Sequence, residues 1–243
     1  MSYWLFFILL FFAEIIGTVS GFGSSILFIP LASLFFDFKS VLGITAVFHI
    51  FSNLSKIILF RKHFNWKIAL QLGIPAIVFC TLGALLTSII PQQEIELTMN
   101  IMLVILALLL MWSYRVQIQQ NRRNLFIGGT LSGFLAGLVG TGGAIRGITL
   151  TAFQLEKNIL IATSALIDLG VDSSRAIVYI SQGYFLKEHF KLLPFFIVIS
   201  FAGSYVGKLV LHRMSQKTFK IILLSVVVMV SIYQVIKYLL GPL

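Results

Sequence analysis

Apolar residues fall into eight long blocks, at approximately 3–36, 40–60, 67–90, 97–114, 124–155, 158–180, 192–211 and 218–240, with short polar stretches between them. Within the blocks there is none of the period-two alternation that membrane barrel strands of about 10 residues show. Most blocks are close to the roughly 20 residues an α-helix needs to cross about 30 Å of hydrocarbon. The pattern predicts an all-α, polytopic helical membrane bundle. Blocks 3–36 and 124–155 are too long for one span, since the first would form a helix of about 50 Å at about 1.5 Å per residue. Each carries glycines near its middle, Gly21-Phe22-Gly23 in the first and Gly140-Thr141-Gly142-Gly143 in the second. Glycine tolerates the backbone angles of a sharp turn. Each long block therefore predicts two shorter helices joined by a glycine turn, as a re-entrant hairpin or a broken span. Non-helical backbone at that depth must be buried in protein or line a cavity.

The two long blocks also align with each other. A shift of 119 residues brings Gly21 onto Gly140, Gly23 onto Gly142, Asp37 onto Glu156, Asn53 onto Asp172, Ser55 onto Ser174, Lys56 onto Arg175 and Pro75 onto Pro194. The register predicts an internal duplication, with residues 1–114 as the first membrane repeat, 115–123 as a cytoplasmic linker and 124–243 as the second. If each long block is a hairpin, each repeat crosses three times and the second is inverted. One side then gathers Arg61, Lys62, Lys67, Arg115, Arg122, Arg123, Lys157, Lys208, Arg213, Lys217 and Lys220, against Lys39, Lys187, Lys191 and Lys237 on the other, 11 cations against 4. Single crossings reduce the split to 9 against 6. The positive-inside rule favours inversion, with both termini periplasmic.

Composition agrees with this picture. The chain is 58% hydrophobic and 11% charged, far from the roughly 25% charged share of soluble domains. The net charge of +10 lies mostly in short loops, which fits membrane topology better than nucleic-acid binding. The lone Cys80 excludes an intramolecular disulfide and reads as a small core residue. The first block lacks a basic leader and a cleavage site and is expected to remain as a membrane element. Trp66, Trp112 and Tyr114 stand at block ends as interface anchors. Gly203 and Gly207 permit close helix packing, within a protomer or in a homodimer.

Charges inside the membrane are costly and tend to mark function. Asp168, Asp172 and Arg175 share one helix face, and His49, Asn53 and Lys56 repeat that stripe in the matching block. The competing structural readings are an Asp172–Arg175 ion pair and a Lys56 that reaches for the interface. Arg146 follows the second glycine turn, where Leu27 holds the matching place. It is a candidate anion contact, or else half of a salt bridge to Glu14 or Asp168. Helices restarting at about Ser24-Ser25 and Gly143-Ala144 would aim free N–H groups and positive dipole ends at a small anion, with hydroxyls from Ser24, Ser25 and Thr141. The candidate substrate-binding set is thus Gly21, Gly23, Ser24, Ser25, Thr141, Gly142, Gly143, Arg146, Lys56 and Arg175. Glu14, His49, Asn53, Asp168 and Asp172 are candidates for proton transfer or gating. No nucleotide loop and no metal-ligand motif is present, so no cofactor or metal is expected.

With Gly21-Phe22-Gly23-Ser24-Ser25-Ile26-Leu27-Phe28-Ile29-Pro30-Leu31, the echo Gly140-Thr141-Gly142-Gly143-Ala144, and Lys56 and Arg175 down the following helices, the chain resembles the sulfite exporter TauE/SafE family over essentially its whole length. The resemblance implies a transporter of sulfite, sulfonates or related organic anions in the bacterial inner membrane. An anion channel of the same architecture is an alternative. So is a membrane-embedded enzyme or assembly subunit, for which Asp168 with Asp172 would be the acidic pair.

Overall fold

A computed structural model of the chain describes residues 3–20, 23–61, 64–112, 119–151 and 153–211, together with Val228, Ile232, Val235 and Ile236. Most of the expected block 218–240 lies outside the described residues, as do Gly21, Tyr114, Arg115 and the loop cations Lys62, Arg213, Lys217, Lys220 and Lys237. The described helices are α1 Tyr3–Ser20, α2 Ser25–Ala32, α3 Phe38–Leu59, α4 Trp66–Leu86, α5 Gln92–Trp112, α6 Arg122–Val139, α7 Gly143–Thr151, α8 Lys157–Ser181 and α9 Leu193–Leu211. No strand occurs among them. Short polar side chains set three of the starts. Asp37 accepts from the Ser40 N–H at 3.1 Å, Asn65 from Ile68 at 3.1 Å and Asn121 from Asn124 at 2.8 Å, each satisfying a backbone donor that the first turn leaves open.

Both overlong blocks are helical hairpins. Gly23 and Gly140 take left-handed backbone angles, with φ of +84° and +83°, and α2 and α7 begin just beyond them. The Ser24 backbone lies against Gly17, where an added Cβ would come within 2.5 Å of it. Phe6, near the start of α1, packs its ring 5.1 Å from that of Phe36, beyond the end of α2. The chain thus returns to the level at which α1 began. In the second block Gly142 lies against the Ser132 carbonyl and Gly128 against Thr149, so α7 runs back along α6.

The remaining helices form the bundle. α3 and α8 cross at the centre, α4 packs along α6, and α1 packs along α9. By length and apolarity Phe38–Leu59, Trp66–Leu86 and Lys187–Leu211 suffice to cross a membrane. α8 has the length, 25 residues, and a polar centre. On α4, Leu70, Ile74, Val78 and Leu82 point outward at four-residue spacing while Leu72, Ala76 and Cys80 are buried. An apolar helix surface on both sides is what lipid on one face and protein on the other require. Trp66 stands exposed at the start of α4.

The start of α3 at Phe38 reappears 119 residues later as the start of α8 at Lys157. Pro75 and Pro194 keep the register but differ in place: Pro75 lies inside α4, whereas Pro194 lies in the first turn of α9, after a 3₁₀ turn at Lys187–Leu192. Proline lacks the N–H needed in a helix interior and is tolerated in a first turn. The start of α9 at Pro194 follows that preference, and α4 departs from it.

Candidate functional site

The two glycine turns meet at the middle of the bundle, where the Oγ of Ser25 lies 3.2 Å from the Oγ1 of Thr141. Beneath them α3 and α8 present their polar stripes to each other. Asn53 donates to the Asp172 carboxylate at 2.7 Å across that crossing. A cavity of about 20 Å³ opens between the turns and the stripes, lined among others by Gly23, Ser24, Ser25, His49, Asn53, Lys56, Gly142, Gly143, Arg146, Asp168, Asp172 and Arg175. The structure therefore gathers nearly all the sequence candidates around one space. Thr141 is buried beside it. Glu14 is fully buried behind Ser24 and Lys56. The role expected of Gly21 falls outside the described residues.

Each cation has a carboxylate. Lys56 Nζ lies 2.9 Å from Glu14 and donates to Ser52 Oγ at 2.6 Å. At 5% exposure it is held in the interior and does not reach for the interface. Arg146 pairs with Asp168, one of the two partners the sequence offered, and its Nε donates to Ser164 at 3.1 Å. Arg175 pairs with Asp172 on its own helix at 2.7 Å.

The donor inventories of the two arginines differ. A guanidinium has five N–H groups. Arg175 spends all of them: Nε and Nη2 on Asp172, Nη1 on the carbonyls of Gly140 at 2.6 Å and Ala136 at 3.3 Å, and the second Nη2 hydrogen on His49 Nδ1 at 3.3 Å. Those carbonyls end α6, so the guanidinium caps the negative end of that helix. Arg146 is less committed. Its Nη2 makes no hydrogen bond among the described residues and faces the first glycine turn, 3.6 Å from where a Cβ on Gly23 would stand.

His49 is fixed by its neighbours. Arg175 can only donate, so Nδ1 is the acceptor and the proton sits on Nε2, which donates to Ser24 Oγ at 2.9 Å. Ser24 passes its own hydrogen to Glu14 at 3.1 Å. Glu14 also accepts from Ser52 at 2.9 Å and Ser204 at 2.7 Å, so α1, α2, α3 and α9 converge on one carboxylate. Ser52, Ser164 and Ser204 were not among the sequence candidates. Ser52 and Ser164 stand one helical turn before Lys56 and Asp168, a spacing that signals contact. Ser204 carries no such signal.

The family model of the sulfite exporter TauE/SafE matches residues 6–234, nearly the whole chain. The chain belongs to the sulfite exporter TauE/SafE family. A curated relative, a probable membrane transporter protein of Methanocaldococcus jannaschii, is 24% identical over 251 aligned residues, covering 93% of this chain and 92% of its own. No solved structure matches the chain significantly. Membership of TauE/SafE, with the apolar helices, makes the protein a membrane-embedded member of a transporter family.

Proposed function

We propose that the protein is a secondary transporter that moves a small sulfur-containing anion, such as sulfite or a sulfonate, across the bacterial inner membrane by alternating access. The observation that carries the reading is Arg146: a buried cation with an unspent donor, facing a cavity where two glycine turns and the starts of α2 and α7 meet. Half-helix N-termini supply N–H groups and positive dipole ends suited to an oxyanion. Arg146 is the direct contact. Lys56 and Arg175 flank it, and the saturated donors of Arg175 favour a positioning role.

Alternating access draws support from paired features: each half opens with a hairpin, and α4·α6 and α1·α9 are reciprocal packings between the halves. Three crossings per half would make the second half inverted. The cavity of about 20 Å³ has room for about one water, so a sulfur oxyanion needs one half to move against the other to widen it.

The test is flux in proteoliposomes against sulfite, thiosulfate, taurine and sulfoacetate, with counterflow exchange to separate a carrier from a channel. Arg146→Ala abolishes flux of the transported anion. Breaking a buried pair from one side costs about 3–5 kcal/mol, so the variant is paired with Arg146→Ala/Asp168→Asn, which leaves no uncompensated charge. Undiminished flux in that folded double variant would overturn the role of Arg146.

A further inference from the structure

The charges around the cavity cancel. Lys56, Arg146 and Arg175 each face one of Glu14, Asp168 and Asp172, and His49 is neutral by its hydrogen bonds. An added anion would put uncompensated negative charge into a buried site, which is strongly unfavourable. One of the three carboxylates has to give way.

The three are not held equally. Glu14 accepts from four hydroxyls besides pairing with Lys56. Asp172 accepts twice from Arg175 and once from Asn53, all at 2.7 Å. Among the described residues Asp168 has only Arg146 and one long contact from Ser164 at 3.5 Å. It lines the cavity, as Glu14 does not, and it occupies the guanidinium that an anion would need. The groups facing it are Arg146 from α7, His49 and Lys56 from α3, Asp172 and Arg175 on α8, and Cys80 from α4, whose thiol meets the Val171 carbonyl. α6 contributes no titratable side chain at this level. A proton on His49 Nδ1 would face the Arg175 N–H that Nδ1 accepts.

Resting on the transport reading, we infer that Asp168 is a stand-in for the substrate: the incoming anion replaces its carboxylate on Arg146, and Asp168 takes up one proton as it is displaced. On release the proton leaves and the Arg146–Asp168 pair re-forms. Anion and proton thus bind together and move in the same direction.

The experiment measures proton uptake by the purified, weakly buffered protein, with a pH indicator, on addition of methanesulfonate, a monoanion that one proton balances, and of the dianions sulfate and thiosulfate, which one proton half-balances; none of the three titrates near neutral pH. Binding is followed in parallel by thermal stabilisation. For wild type, uptake approaches one proton per bound anion, and above neutral pH affinity falls about tenfold per pH unit. Asp168→Asn, which resembles the protonated acid, binds the same anion without proton uptake and with an affinity that no longer varies with pH. Anion binding by wild type without proton uptake overturns the inference and leaves the transport reading standing, and needs no variant to fold. Uptake undiminished in Asp168→Asn also overturns it. If none of these anions, nor sulfite, taurine or sulfoacetate, stabilises the wild type, the transport reading fails and this inference with it.

Discussion

At the scale of single residues, the two buried arginines illustrate how donor count separates holding from binding. Arg175 ties the end of α6, the ring of His49 and the carboxylate of Asp172 into one unit. A lysine keeps the charge but has three donors on a flexible stem, so Arg175→Lys strands buried acceptors at about 1–3 kcal/mol each. A drop in the thermal midpoint in detergent, larger than for Lys208→Arg at the bundle edge, is the expected result. Equal midpoints would mean that the fork is dispensable. Part of this site is legible in the sequence. The Asp172–Arg175 pair is local, three residues apart on one helix. Arg146 announces itself by standing charged in an apolar block. The Glu14–Lys56 pair is not legible, because it depends on how α9 and α2, packed on both helices, bring α1 to α3. Nor is Ser204, since a hydroxyl on an apolar helix looks the same whether it bonds its own backbone or a carboxylate on another helix.

At the scale of elements, small residues decide which helices can touch. On α6, Gly129, Gly133 and Gly137 lie directly against the carbonyls of Leu72, Ala76 and Cys80 on α4. The four-residue spacing on both helices makes a seam in which side chains are absent and backbones meet. Gly203 and Gly207 of α9 instead make room for the side chains of Glu14 and Thr18 on α1, so this pair is spent within the protomer. A methyl at Gly133 has nowhere to go, and Gly133→Ala is expected to destabilise by several kcal/mol, as overpacking does (about 1–3 kcal/mol or more). At Gly183, where φ is +76° and an added Cβ meets nothing within 4 Å, the cost is only that of a left-handed backbone, about 1–2 kcal/mol. Thermal unfolding of the two alanine variants gives the order, and the reverse order would contradict the seam. The glycine breaks were readable because the blocks were too long for single helices. That they fold back as hairpins was not, since the alternative broken span has the same composition.

At the scale of the whole molecule, contacts between loops sort the described ends into two sides. Asn65 meets Thr163 at 3.0 Å and Lys208 meets the Leu59 carbonyl at 2.8 Å on one. Thr87 meets Gln182 at 3.0 Å, and Lys39 lies over the Tyr184 ring, on the other. The first side carries Arg61, Lys67, Arg122, Arg123, Lys157 and Lys208 with Glu156. The second carries Lys39, Lys187 and Lys191 with Asp37, Glu94, Glu96 and Glu188. By the positive-inside rule the first side is expected to be cytoplasmic. In intact cells, Lys187→Cys should react with an impermeant thiol reagent, while Arg123→Cys and Lys157→Cys should react only after permeabilisation. Buried Cys80 keeps the background low, and the opposite labelling would invert the topology. The seams carry one more implication, for synthesis. One of them, α1 to α9, joins a helix from early in the chain to one from late in it. At about 5–20 residues per second, α1 waits on the order of ten seconds in the bilayer before α9 exists to cover it. Its buried Glu14 must spend that interval without Ser204 and with whatever lipid, water or translocation machinery is at hand, so the earliest moments of this protein's life depend on a host that shelters a half-made membrane charge.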